Sequence, residues 1–398
     1  MSDMEFPEPD ADVEATAPAD LKERIDSGEQ VAVLDTRAPS EFETWQIEGE
    51  NVAVENVPYY DFFEGVDEDL LEQVPEPESG PLYVVCAKGD SSEYVAGVLI
   101  EEADADATNL EEGMKGWARL YEYAELEADT DAVVAQYRRP SSGCLAYLVV
   151  SEGEAAVIDP LRAFTNEYLA DAKALGADLR YAIDTHIHAD HISGVRALAD
   201  EGVEGVVPEP AVDRGVTYAD EMTTVADGDV LTVGDVEIEV VHTPGHTTGM
   251  TSYLIDGAVL ATGDGLFTES VARPDLEEGD EGAPDAAAML YDSLQERVLP
   301  LGDGTLVAPA HFSDSAVPRD DGTYVATIGD LTDRMDALSM DREEFVEFIL
   351  SDMPPRPANY EDIIATNLGQ QSASDEEAFE LELGPNNCAA SREAMTSD

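Results

Sequence analysis

Basic residues are scarce in this chain. Lys and Arg together number 20 among 398 residues, four of them Lys (22, 88, 115 and 173), against 89 Asp and Glu. No basic stripe exists to meet a phosphate backbone, which excludes unaided nucleic-acid binding. An anionic membrane surface is excluded on the same ground. Cysteine is scarce too: residues 86, 144 and 388, with no Cys-x-x-Cys, form neither a disulfide framework nor a thiolate zinc site. Long apolar runs are missing, since Cys144 to Val150 falls far below the ~20 residues of a spanning helix. The start, MSDMEFPEPD, is acidic where a secretory signal needs a basic region and an apolar core. These absences lead us to expect a cytoplasmic location.

What is present is acid. A net charge of −69 makes a compact state repel itself in ordinary buffer. At ~1 M salt the Debye length falls to ~3 Å, and most of that repulsion disappears. The acids run the whole length, not only a tail, so the expected setting is the salt-rich cytoplasm of an extreme halophile. Hydrophobic residues still make up 43%, enough for packed cores. At roughly 150 residues per domain, the length allows two or three domains.

Residues 1–13 read as an acidic flexible tail. Helical pattern over Asp20–Ser27, apolar VAVLDTR (31–37) and LYVVC (82–86), and a helix from Ser92 to Glu102 give a small α/β domain with a parallel sheet over 14–126. The acidic segment 127–132 reads as a linker. Two hairpins follow, turning at Glu152–Gly153 and Asp256–Gly257, interleaved with helices near 165–175, 192–200, 285–298 and 343–351. This suggests two sheets with helices outside over 133–384, and then a loose tail, 385–398.

Six His occur: 186, 188, 191, 242, 246 and 311. Three of them share the run His186-Ile-His188-Ala-Asp190-His191, which follows an apolar strand and opens a helix. Loops at strand ends gather polar ligands without disturbing a core. His246 follows in Thr-Pro-Gly-His, Asp264 in Thr-Gly-Asp and His311 in Pro-Ala-His. A single His of this kind is ordinarily a satisfied, half-buried ring; five at strand ends beside two Asp are a metal site. Imidazoles and carboxylates without thiolates suit Zn, Fe or Mn over Cu(I) or an iron–sulfur cluster. His242 belongs to the preceding strand and reads as structural.

THIHADHISG, TPGHT, TGD and PAH, in this order, resemble the metallo-β-lactamase superfamily over roughly 133–384. The resemblance implies an αββα sandwich with metal between the sheet edges. Two branches fit its ligands. In hydrolases similar to glyoxalase II, two Zn(II) are held, one by His186, His188 and His246, the other by Asp190, His191 and His311, with Asp264 bridging. In persulfide dioxygenases one Fe(II) takes the positions matching His186, His246 and Asp264, while His188, Asp190, His191 and His311 orient those ligands. HADHISG, SSGCLAYLV (141–149), VARPDL (271–276) and MPPRPANYEDIIATNLG (353–369) look like the dioxygenase branch. Arg273 is expected to hold carboxylates of a thiol cosubstrate.

Cys86 ends a buried strand and is followed by Ala-Lys88-Gly89-Asp-Ser91-Ser, then a helix. The amides of such a loop form an anion cradle that stabilises a thiolate or persulfide. With Asp35, Arg37, Trp45-Gln-Ile-Glu-Gly and Gly113-Met-Lys-Gly-Trp117, this set resembles the rhodanese domain. Rhodaneses that accept thiosulfate usually place Arg where Ser91 stands, so a protein or low-molecular-weight persulfide is an equal donor. Lys88, Gly89 and Ser91 are the expected substrate contacts. Cys144 and Cys388 read as structural or incidental.

The combined expectation is a two-domain α/β protein, rhodanese-like and then αββα. It is an enzyme that oxidises a thiol persulfide with O2 to sulfite, with glutathione the thiol the resemblance implies. Cys86 and Asp190 are its expected catalytic residues. A binuclear zinc thioester hydrolase with a fused rhodanese, and a non-catalytic sulfur carrier, remain open, and so does an oligomer.

Overall fold

A computed structural model describes residues 11–313, 316–351, 353–384 and 388–389. Most of the two tails expected at 1–13 and 385–398 lies outside the described residues. The chain divides into two compact units, one formed chiefly by residues up to Leu120 and the other from Tyr121 onward.

The first unit is built on five parallel strands: β1 (Glu14–Thr16), β2 (Val31–Asp35), β3 (Val52–Asn56), β4 (Leu82–Val85) and β5 (Ala107–Leu110), in the order β1-β5-β4-β2-β3. A parallel sheet is covered on both faces, so its central strands are continuous apolar runs. Every residue of VAVLD and LYVV is accordingly buried. Leu34, Val84 and Leu99 fill one face; Val33, Tyr83 and Trp117 fill the other. Cys86 stands one residue past β4, and Gly89, at φ 102°, leads into the helix Asp90–Ala103.

The second unit has two sheets. The first contains β6 (Glu122–Glu125), β7 (Val133–Arg139), β8 (Cys144–Ser151), β9 (Glu154–Ile158), β10 (Asp178–Ile183), β11 (Glu204–Pro208) and β12 (Thr223–Val225), hydrogen-bonded in sequence order. The second runs β13 (Val230–Val233), β14 (Val236–His242), β15 (Thr251–Ile255), β16 (Val259–Gly263), β17 (Leu306–Pro309) and β18 (Ala326–Thr327), also in order. Tyr147, Ile183 and Val206 from one sheet meet Ile238, Tyr253 and Ala261 from the other in a shared core. Helices Thr165–Ala174 and Val195–Asp200 cover one outer face, and Gly279–Ser293 and Arg342–Ser351 the other. This is an αββα sandwich.

Both hairpin turns sit where expected, with Glu152–Gly153 at φ 44° and 83° and Asp256–Gly257 at 50° and 67°. The positive φ at both central residues matches the twist of the flanking strands. One strand falls elsewhere than expected. The sequence reading ends the first unit at 126, yet β6 pairs antiparallel with β7, Glu125 opposite Ala135. The segment EYAE alternates exposed and half-buried residues and has no apolar run to assign it to either sheet.

Candidate functional site

The histidine run is a coil of eleven residues between β10 and the helix Val195–Asp200, and buried carboxylates hold its shape. Asp159 accepts the Thr185 amide at 2.7 Å and the Thr185 hydroxyl at 3.0 Å, and lies 3.1 Å from His188 Nε2. Asn367 donates to the carbonyls of His188 and His191 at 2.9 and 2.8 Å. These bonds let an irregular backbone stay buried.

His186, His246 and Asp264 come together from three separate segments. His186 Nε2 and His246 Nε2 lie 3.6 and 3.5 Å from Asp264 Oδ2. All three side chains are buried, and none of these three atoms has a hydrogen-bond partner among the described residues. Behind them the rings are pinned: His246 Nδ1 donates to the Arg273 carbonyl at 2.9 Å, and His186 Nδ1 lies 2.9 Å from the Thr185 hydroxyl. A ring that donates through Nδ1 presents its Nε2 lone pair inward, which is the form that ligates a cation. Burial pushes the pKa of both rings below the ordinary histidine value, so they stand neutral. Burial raises the Asp264 carboxyl, but the charge and hydrogen bond of His311 beside it draw it well below the usual range. Orphaned buried acceptors cost about 1–3 kcal/mol each. Two lone pairs and a carboxylate facing one another therefore fit a cation, with a donor set suited to non-haem iron.

A second group adjoins it. His311 bridges two carboxylates, Nε2 to Asp190 Oδ2 at 2.6 Å and Nδ1 to Asp264 Oδ1 at 2.5 Å. His191 Nδ1 also reaches Asp190 Oδ2, at 3.0 Å. Burial would lower the pKa values of His311 and His191, but the Asp190 charge outweighs it and holds both well above the ordinary value. Asp190 Oδ1, His191 Nε2 and His188 Nδ1 stay without partners among the described residues.

Both remaining cysteines of this unit line the cluster, which corrects their reading as structural or incidental. Cys144 Sγ donates to Asp190 Oδ2 at 3.3 Å, and ligand atoms of Cys144, Asp190, His191 and His311 all lie within 4.8 Å of one another. Cys388 forms a similar group with Asp264 and His311. A bridge between Cys144 and His311 joins β8 to the Pro-Ala-His loop, a long-range pairing invisible in the sequence. His242 takes no place in these groups; its Nε2 meets the Thr248 carbonyl at 2.9 Å.

Arg273, expected to hold carboxylates of a thiol cosubstrate, is engaged here by groups of the protein. Its side chain is 1% exposed, with Nε and Nη2 on Asp275 at 2.8 and 3.1 Å and Nη1 and Nη2 on the carbonyls of Pro355 and Pro354 at 2.8 and 2.9 Å. Its hydrogen bonds fix protein groups, and its own carbonyl orients His246. The VARPDL and MPPRPA segments meet here.

In the first unit, the Gly89 amide donates to Cys86 Sγ at 3.0 Å. The Met114 amide donates to the Cys86 carbonyl at 2.7 Å. A Cβ on Gly113 would lie 2.1 Å from that carbonyl, so only glycine fits. Lys88 is exposed on the loop and Ser91 is buried. The residue that reaches the sulfur is Ser92, whose Oγ lies 3.1 Å from Sγ and 2.7 Å from Asn109 Oδ1. Neither was expected. Asn109 arrives through the β4–β5 pairing, opposite Val84, which no local motif announces. Asp35 and Arg37 form a buried ion pair at 2.6 Å, and Arg37 also holds the Trp45 carbonyl.

Residues 140–311 match the metallo-beta-lactamase superfamily, and residues 17–120 match the rhodanese-like domain. The human mitochondrial persulfide dioxygenase ETHE1 is 28% identical over 241 residues, which are 59% of this chain and 87% of that protein. A hydroxyacylglutathione hydrolase of Xanthomonas axonopodis is 35% identical over 164 residues, 41% of this chain and 58% of the hydrolase. The crystal structure of ETHE1 from Myxococcus xanthus is 30% identical, aligns over 59% of this chain and 98% of its own, and gives a TM-score of 0.51.

Proposed function

Because the chain belongs to the metallo-β-lactamase superfamily and carries a rhodanese-like domain, we propose that it is a persulfide dioxygenase with a fused sulfurtransferase. The overall reaction is R–SSH + O2 + H2O giving R–SH, sulfite and two protons. The observation that carries this reading is the convergence of His186 Nε2, His246 Nε2 and Asp264 Oδ2, buried and without partners among the described residues, while both nitrogens of His311 are engaged by carboxylates. His186, His246 and Asp264 would hold one Fe(II), which would supply the chemistry that joins persulfide to O2.

The surrounding residues have separable tasks. Arg273 and Thr185 hold the His246 and His186 rings in the ligating orientation. His311 holds a proton between Asp190 and Asp264, which places an acid beside the departing thiolate. The buried coil 184–193 keeps bulk water from the reacting groups. Cys86 takes sulfane sulfur from a donor persulfide, or passes it to sulfite to form thiosulfate; the two directions use the same bond.

A second reading, a binuclear zinc thioester hydrolase, is favoured by the unpartnered His191 Nε2 and Asp190 Oδ1, which leave donors for another cation. Anaerobic purification, metal counting and an O2-electrode assay with glutathione persulfide decide. One iron and persulfide-dependent O2 uptake support the dioxygenase; two zincs and no uptake overturn it. The cytoplasm of a halophile is the setting we propose. Among the described residues no helix is long and apolar enough to cross a membrane.

A further inference from the structure

Ser92 has one hydroxyl proton and three acceptors in reach. Its Oγ lies 3.1 Å from Cys86 Sγ, 3.1 Å from the Gly89 carbonyl and 2.7 Å from Asn109 Oδ1. A hydroxyl donates once and accepts through two lone pairs. When its proton points at Asn109, the sulfur therefore faces a lone pair. That arrangement suits a thiol S–H and opposes an anionic sulfur. Burial limits how far water can substitute, because Cys86, Ser92 and Asn109 are 4%, 0% and 8% exposed. The Gly89 amide donates to Sγ at 3.0 Å whichever way the Ser92 proton points.

We propose that Asn109 is a positioning residue for the sulfur-carrying cysteine. Its side-chain carbonyl competes with Cys86 for the Ser92 proton and so withholds that donor from the resting sulfur. In the thiolate that attacks a donor, the Ser92 hydroxyl swings from Asn109 to Sγ and stabilises the anion. The inference rests on the sulfurtransferase half of the function proposed above. Loading from a low-molecular-weight persulfide is then Cys86–S⁻ + R–S–SH giving Cys86–S–SH + R–S⁻. The bond from Cys86 Sγ to the sulfane sulfur forms, the donor's S–S bond breaks, and its electron pair leaves on R–S⁻. With charge gone from Sγ, the hydroxyl returns to Asn109.

The test is the rate at which iodoacetamide alkylates Cys86 at pH 7 in the full chain, read by mass spectrometry of the Cys86 peptide. Asn109→Leu should react about threefold to tenfold faster, the worth of one net hydrogen bond. Ser92→Ala should react slower by a similar factor. The double variant should be as slow as Ser92→Ala alone, because without the hydroxyl Asn109 has nothing to hold. A merely structural role for Asn109 would not produce that dependence. Asn109→Ala carries the same expectation should the leucine variant fail to fold, with far-UV circular dichroism as the check. An Asn109 variant no faster than the unaltered chain, or a double variant faster than Ser92→Ala, overturns the proposal. Sulfur transfer from glutathione persulfide that survives Cys86→Ser would instead overturn the sulfurtransferase reading, while the alkylation order still tests the proton's placement.

Discussion

The main-chain carbonyl of Arg273 accepts a hydrogen bond from His246 Nδ1 at 2.9 Å. The guanidinium of the same residue is locked onto Asp275, Pro354 and Pro355, so the carbonyl cannot drift without breaking those bonds. Arg273→Met should therefore loosen a ring it does not touch through its side chain. Removing one partner of a buried pair costs about 3–5 kcal/mol. Arg356, also on Asp275 at 3.0 Å, brings the expectation to the lower end of that range. Loss of a residue that orients a ligand weakens metal binding by about 10–100-fold. Thermal unfolding and equilibrium dialysis against Fe(II) check both; an unchanged metal affinity would sink the positioning role.

His246→Ala should fold and lose activity. The ring is buried, but its Nε2 has no protein partner, so truncation removes an unsatisfied acceptor as well as packing. If the site were only a structural clamp in a sulfur carrier, the same change would unfold the chain. Circular dichroism, metal content and O2 uptake on one preparation separate the two outcomes.

Most of the donor set was legible because the strand-end motifs are local: HIHADH, TPGH, TGD and PAH each announce a ligand by type and spacing. Hairpins and central strands were legible for the same reason, from Asp-Gly and Glu-Gly turns and apolar runs. What could not be read is what tertiary contact decides. Cys144 reaches Asp190 across 46 residues, and Asn109 reaches Ser92 across 17 by strand pairing. Scarcity of cations suggested a substrate role for Arg273; its burial and its hydrogen bonds to Asp275, Pro354 and Pro355 could not be read from that scarcity.

Chelation should abolish persulfide-dependent O2 uptake and lower stability together. A cation bound to the folded state alone stabilises it by about 2.7 kcal/mol at a hundredfold excess over its dissociation constant. Its removal returns the three facing acceptors, His186 Nε2, His246 Nε2 and Asp264 Oδ2, to their unpartnered condition. Uptake should return on adding Fe(II) anaerobically and should not return with Zn(II). Full activity of the chelated chain, or recovery with zinc alone, would contradict the single-iron reading.

Low salt should unfold the chain. Were each of its 20 basic residues paired with one acid, the excess of 89 over 20 would still leave the net −69 uncompensated. Several of the pairs present are exposed, such as Arg180–Glu154 at 43% and 40%, and contribute little in water. Repulsion among the remaining carboxylates therefore outweighs attraction, and added salt screens more of the former than of the latter. Between ~0.1 and ~1 M KCl the Debye length shortens from ~10 to ~3 Å. Circular dichroism should show the thermal midpoint rising across that range. A midpoint independent of salt, or a native spectrum in salt-free buffer, would mean that packing alone overcomes the charge and would remove the argument for a salt-rich setting.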